Sequence, residues 1–188
     1  MILIIDLGSQ YTHLIKRNCR DLGFESEIIN DSQIAHQSAS EKNIEKIILS
    51  GGPKSVYERK PGLSEKLIEN AVKENIPLLG ICFGHQLLAH VFGGTVEKGK
   101  SAEYGLTKIY VDSNDSLFKG LPNEFQAWSS HFDEVKSLPK DFMALAHSEQ
   151  CKYEAMKHKS KKLFGLQFHP EVWHTENGGK ILENFLNL

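Results

Sequence analysis

The chain has 188 residues, 22 basic against 24 acidic side chains and a formal net charge of −2, which gives no electrostatic case for binding nucleic acid or an acidic membrane. Its length suits one domain, residues 1–188, with a substantial core. Cys19, Cys82 and Cys151 lack Cys-x-x-Cys spacing, so neither a disulfide framework nor a zinc knuckle is indicated.

Residues 1–7 are too short for the apolar stretch of a secretion signal, carry no basic residue and reach Asp6 at once, and no apolar run approaches the length of a membrane span. The expected compartment is the reducing cytoplasm. Residues 2–5 are continuously apolar, as in a strand buried on both faces of a parallel sheet. A helix follows, in which Tyr11, Leu14, Ile15, Cys19 and Leu22 recur at helical spacing before Gly23. Residues 24–29 predict a second strand, and residues 30–43, polar and without period, a loop holding at most a short helix. Residues 47–49 form the next strand, closed by Ser50-Gly51-Gly52-Pro53; residues 54–62 are a loop, and Leu63, Leu67, Ile68, Ala71 and Val72 mark a helix ending before Pro77.

Residues 77–86, Pro-Leu-Leu-Gly-Ile-Cys-Phe-Gly-His-Gln, then give strand, sharp turn and helix, the helix over 86–92. This is the pattern of a nucleophile elbow with cysteine in place of serine. Gly80 and Gly84, two before and two after Cys82, meet the steric demand of such a turn. At the N-terminus of a helix the sulfur also faces the positive end of the helix dipole, which favours thiolate. The competing reading, a buried apolar cysteine, leaves both glycines unexplained.

The repeated β-α units imply a parallel sheet with ligands at the carboxyl ends of its strands, where Gly51-Gly52 and Cys82 lie. Past Gly94 the rhythm changes to short strands at 106–111, 125–128, 143–147, 153–157 and 163–168, closed by a helix bearing Ile181, Leu182, Phe185 and Leu186. The fold class is therefore α/β: a mostly parallel central sheet flanked by helices, with mixed or antiparallel strands added in the C-terminal half. Lys157, Lys159, Lys161 and Lys162 read as a solvated turn between two strands.

A cysteine nucleophile needs a base, and the base an orienting group. Phe168-His169-Pro170-Glu171 offers both; on an extended segment, residues two apart share a side, so Glu171 can reach the imidazole of His169. For the oxyanion, the N–H of Phe83 is one candidate donor and that of Gly52 the other. His85 and His90 are five residues apart, as are His169 and His174, which is not a metal-binding spacing.

Together, Gly80-x-Cys82-x-Gly84-His85-Gln86, Ser50-Gly51-Gly52-Pro53 and Phe168-His169-Pro170-Glu171 resemble the class I (triad) glutamine amidotransferase domain over almost the whole chain. Within that class, residues 49–57, Glu103-Tyr104-Gly105 and residues 167–175 resemble the glutaminase part of GMP synthetase, in its arrangement with amidotransferase and ATP-pyrophosphatase as separate subunits. The resemblance implies that Cys82 attacks the side-chain amide of glutamine, that His169 moves the protons and Glu171 orients it, and that a γ-glutamyl thioester is hydrolysed by water. It also implies Gly52 and Phe83 as oxyanion donors, and Gln86, Ser130, His131 and Phe132 as glutamine-binding residues, with Phe132 standing where the family often has glycine. No cofactor or metal is expected in this chain. Ser50-Gly51-Gly52-Pro53-Lys54-Ser55 lacks the acidic residue of a pyrophosphatase loop, so ATP and magnesium belong to the partner subunit that converts XMP to GMP. Trp173, Tyr104 and the 98–104 stretch, Glu103 included, are the candidate partner-facing residues. Two alternatives stay open: another amidotransferase, such as the glutaminase subunit of anthranilate synthase, and a non-catalytic regulatory subunit on the same fold.

Overall fold

In chain order the elements are β1 (Ile2–Asp6), α1 (Thr12–Asp21), β2 (Ser26–Asn30), β3 (Lys46–Leu49), α2 (Leu63–Lys73), β4 (Leu78–Ile81), α3 (Phe83–Val91), β5 (Thr95–Val111), β6 (Glu124–Ser137), β7 (Phe142–His147), β8 (Ala155–His158), β9 (Leu163–Leu166) and α4 (Gly178–Leu186). The computed structural model describes residues 1–30, 43–58 and 62–188. The loop expected over 30–43 therefore falls almost wholly outside the described residues, as does part of that over 54–62.

The strands form one sheet in the order β2-β1-β3-β4-β9-β8-β7-β5-β6. From β2 to β9 all neighbours are parallel, and from β9 to β6 all are antiparallel. The parallel half follows from its apolar runs, because alternate side chains of a strand face opposite sides. Ile2, Ile4, Ile48, Leu79 and Ile81 pack with Ile15 and Cys19 of α1 and Ile181, Leu182 and Phe185 of α4. Leu3, Ile5, Ile47, Leu49 and Leu78 face the other way, onto Leu67, Ile68 and Ala71 of α2 and Leu87 and Leu88 of α3. Each such side chain, wholly buried, contributes about 2 kcal/mol. No described helix is long and apolar enough to cross a membrane.

Several boundaries differ from those expected. Helix α3 begins at Phe83 and not at residue 86, so the turn is confined to Cys82 itself. Strands expected at 106–111 and 125–128 are parts of a 17-residue β5 and a 14-residue β6. Their extensions carry exposed polar residues such as Glu97 and Lys100, and several of their buried positions, Glu103, Ser129, His131 and Glu134, are polar, so no apolar alternation betrays them in the sequence. The last strand stops at Leu166, before Gln167 and Phe168. Lys159, Lys161 and Lys162 do form the β8–β9 turn, but Lys157 lies within β8, half-buried and paired with Asp115.

At the elbow the chain has almost no room. A Cβ on Gly80 would lie 2.4 Å from the Gly84 carbonyl oxygen, and one on Gly84 would lie 2.6 Å from that of Leu49. Both obstacles are backbone, which no rotamer change relieves. Gly84→Ala should accordingly cost about 2 kcal/mol or more and lower the melting temperature by roughly 5 °C, read by thermal unfolding. An unchanged melting temperature would mean that β3 and α3 are not packed this closely.

Candidate active site

Cys82 has φ +51° and ψ −105°, a backbone strain that an L-residue keeps only where its surroundings impose it. Its N–H donates to Leu166 O at 2.7 Å and the Gly84 N–H donates to Ser50 O at 3.2 Å, so the turn is tied to β9 on one side and to the loop after β3 on the other. The sulfur is thereby held at the N-terminus of α3, over a cavity of about 640 Å³. Burial pushes Cys19 up to about 11 and Cys151 further still. Both of those thiols keep their protons, and neither lines the cavity.

His169 follows the end of β9 by three residues, and its backbone is held twice: its N–H donates to Trp128 O at 2.9 Å, and its carbonyl accepts from Thr175 Oγ1 at 2.6 Å. Its ring meets Tyr11 edge-on, with centroids 5.1 Å apart. Nδ1 lies 2.8 Å from Glu171 Oε1, and the Cys82 side chain is near enough to act on the ring electrostatically. With Nδ1 occupied by the carboxylate, Nε2 is the nitrogen that faces sulfur. Burial alone would favour the neutral ring, but the Glu171 carboxylate and the Cys82 sulfur outweigh it and hold the His169 pKa well above the ordinary value. The reach of Glu171 does not come from a strand pleat, as expected: residues 169–175 are turns, closed by Val172 N to His169 O and Thr175 N to Val172 O. Pro170 and the turn bring the carboxylate back beneath the ring.

The loop after β3 forms the next wall. A Cβ on Gly51 would lie 3.1 Å from His169 Cε1 and 3.6 Å from Cys82 Cβ, and one on Gly52 would lie 2.5 Å from Leu7 O. Gly51 therefore leaves space for the Cys82 and His169 side chains, and Gly52 lets the loop pass the end of β1. Phe83 Cδ1 is 3.4 Å from where the Gly52 Cβ would stand, so the Phe83 ring packs against Gly52, which itself lines the cavity.

The facing wall is β6. Ser130, His131, Phe132 and Asp133 line the cavity, and Cys82 Sγ lies 3.8 Å from Ser130 O. Gln86 lines it too, but its Nε2 donates to Asp133 O at 2.7 Å and to Gln167 Oε1 at 3.1 Å, so that nitrogen anchors the wall and is not left for a ligand. Phe132 projects to the rim, 41% exposed, and the His131 ring turns inward, its Nε2 2.9 Å from Glu103 Oε2. Glu103 is thus buried and cannot face a partner, whereas Tyr104 beside it is 73% exposed at the mouth. Trp173 is also exposed, outside the cavity lining. Tyr11 and Asp133 went unassigned by sequence reasoning: Tyr11 matched the apolar period of α1, and Asp133, which accepts from Ser55 Oγ and, at 3.0 Å, from Tyr57 Oη, is reached only across 76 residues of chain.

Among the described residues, Glu103, Cys151 and Glu154 bring three possible metal-ligand atoms within 4.8 Å of one another. Burial, with Glu103 alongside, raises Glu154 well above the usual carboxylate range, and burial with Glu154 alongside raises the Cys151 thiol. Two of the three donors therefore carry protons, which does not suit a metal.

A family model for class-I glutamine amidotransferase matches residues 3–188. The chain is 48% identical to a GMP synthase (glutamine-hydrolyzing) subunit from Methanocaldococcus jannaschii over 185 residues, covering 98% of this chain and 95% of that one. It is also 48% identical to the Pyrococcus abyssi protein of the same name over 188 residues, covering 100% and 98%. A crystal structure described as a putative GMP synthase subunit from Thermoplasma acidophilum superposes with a TM-score of 0.87 at 35% identity, covering 99% of this chain and 92% of that one.

Because His169 holds its proton more tightly folded than unfolded, this pair adds stability that is complete below about pH 6.5 and drains away as pH rises through the folded value. Glu171→Gln should lower the His169 titration, followed by NMR, by about one to three pH units. A titration unchanged in that variant would show that the carboxylate does not hold the proton.

Proposed function

The chain belongs to the class-I glutamine amidotransferase family, and from that we propose that it hydrolyses glutamine to glutamate and ammonia, and supplies the ammonia to a separate ATP-pyrophosphatase subunit that converts XMP to GMP. The observation that carries the reading is Cys82, strained at the elbow and sharing one cavity with His169, whose Nδ1 is 2.8 Å from the buried Glu171. Full-length identity to relatives named as glutamine-hydrolyzing GMP synthase subunits supports the choice of acceptor.

The steps follow from that geometry. His169 Nε2 takes the Cys82 proton, and the sulfur attacks the side-chain amide carbon of glutamine. The C=O electrons move onto oxygen, where the N–H groups of Gly52 and Phe83 are the donors we assign, each on the order of 3 kcal/mol. As the oxyanion collapses, the C–N bond breaks and His169 returns its proton to the departing nitrogen, releasing ammonia. His169 then takes a proton from water, the hydroxide adds to the γ-glutamyl thioester, and collapse expels Cys82 and frees glutamate. Glu171 stabilises the imidazolium in both halves and fixes its orientation. Ser130, His131 and Phe132, on the wall facing Cys82, are the residues we assign to the rest of glutamine. ATP and magnesium act on the partner subunit.

Ammonia must leave this cavity for the partner without escaping to water, so we place the docking face at the cavity mouth, where Tyr104 is exposed. Tyr104→Ala should weaken binding to the synthetase partner about tenfold in calorimetry, and unchanged affinity would remove this residue from the interface. The function itself is tested by mixing the chain with that partner, ATP, magnesium and XMP. Cys82→Ala should cut glutamine-dependent GMP formation on the order of a thousandfold or more while leaving synthesis from added ammonia intact. Glutamine-dependent GMP surviving in Cys82→Ala would overturn the reading; Cys82-dependent glutamate without GMP would keep the amidotransferase and reassign the acceptor.

A further inference from the structure

Behind the β6 wall lies a buried polar cluster that the reaction steps above do not use. Glu154, at 0% exposure, immediately precedes β8. Neither of its oxygens receives an N–H or O–H in ordinary geometry among the described residues. Its near neighbours are the carboxylate of Glu103, on β5, and the Cys151 thiol, their ligand atoms within 4.8 Å. Glu103 in turn accepts from Ser148 Oγ at 2.9 Å and faces His131 Nε2 at 2.9 Å. His131 belongs to the cavity wall itself, and its Nδ1 is 3.1 Å from Asp133 O.

The position of this chain of contacts along the hairpin matters. Strands β5 and β6 pair Lys98 with Asp133 and then Glu103 with His131, so four residues of β5 oppose the single residue Phe132. The regular ladder is lost there, beside the wall that a glutamine attached to Cys82 must lie against. A buried carboxylate opposite one histidine can hold that wall, but a second anionic carboxylate beside it would go unpaired at high cost.

We propose that Glu154 donates a hydrogen bond to Glu103, and that Glu154, Glu103 and His131 together form a positioning unit that holds residues 130–133 in the shape that accepts glutamine. The electrostatics agree: burial and Glu103 favour the protonated form of Glu154, while Glu103, despite burial, is held below the usual carboxylate range by His131, Ser148 and Glu154. One proton shared between two buried acids leaves a single negative charge for His131. His85, fully buried nearby, is pushed down to about 3 by burial and by His131, so its ring stays neutral. None of these groups touches the reacting sulfur or amide; they act through the backbone of β6. The inference rests on the reading of this cavity as a glutamine site.

Two alkylating probes separate the wall from the nucleophile. Iodoacetamide reads Cys82 alone, and 6-diazo-5-oxo-L-norleucine carries the α-amino and α-carboxylate groups of glutamine. With the synthetase subunit, ATP, magnesium and XMP present, Glu154→Met, which keeps length but loses the donor, should raise KM for glutamine and slow inactivation by the diazoketone each about tenfold. Labelling by iodoacetamide should stay within about twofold and kcat should change less than KM. Glu154→Gln, which restores a donor to Glu103, should recover KM and the diazoketone rate to within about threefold of the unsubstituted chain. If Glu154→Met does not fold, Ser148→Ala, which removes a donor from Glu103, should show the same selective loss. A Glu154→Met protein with normal KM, a parallel fall of both probe rates, or a Glu154→Gln protein as impaired as Glu154→Met would each overturn the positioning role. An unsubstituted chain that iodoacetamide labels at Cys82 but the diazoketone leaves untouched would instead overturn the glutamine reading beneath it.

Discussion

A close approach of backbone to backbone at the elbow between β4 and α3 sets the position of the Cys82 side chain. The Gly84 backbone passes the Leu49 carbonyl at a distance that excludes a Cβ, and the Gly80 backbone passes the Gly84 carbonyl in the same way. Only a chain with hydrogen at both positions can turn this tightly. The consequence is a cysteine held at φ +51°, its sulfur presented to the cavity and its N–H anchored to β9. Strain of about 1–3 kcal/mol at such a residue is supported by the two hydrophobic layers that clamp the sheet.

Because the Cys82 N–H bonds Leu166, the proposed nucleophile Cys82 and the proposed base His169 are fixed to the same strand pair, with His169 three residues beyond that anchor. The base is then held from the far side by Trp128, on β6, and by Thr175, whose hydroxyl also accepts from the Trp128 N–H at 2.9 Å. The β6 strand thus serves two roles: residues near Trp128 brace the imidazole, and residues 130–133 form the wall opposite the sulfur. The long β5–β6 hairpin is therefore part of the site's framework, although it sits at the antiparallel edge of the sheet.

Much of this was legible in the sequence for one physical reason: close packing leaves a trace in residue type. Residues 2–5, 47–49 and 78–81 are apolar without interruption because helices cover both faces of those strands, and Gly80 and Gly84 are small because backbone occupies the space of their side chains. Where the buried positions are polar, the sequence was silent. The extensions of β5 and β6 expose Glu97 and Lys98 and bury Glu103, Ser129, His131 and Glu134, so they show no apolar alternation to read. The pairing of Glu171 with His169 was expected for the wrong local reason, since a turn and not a pleat brings them together. The cluster of Glu103, His131 and Glu154 was invisible, because its members come from three separate segments, and a glutamate destined for burial looks like any surface glutamate until its neighbours are known.

The central claim is that Cys82 becomes acylated by the γ-carboxamide carbon of glutamine. It is tested most directly by acid-quenching the chain during turnover with glutamine and its synthetase partner, then locating the adduct by intact-mass and peptide analysis. The account predicts one γ-glutamyl group, on the peptide containing Cys82, that is lost on treatment with hydroxylamine and absent from Cys82→Ala. Steady turnover with Cys82 unmodified throughout, or an adduct on another residue, would contradict it.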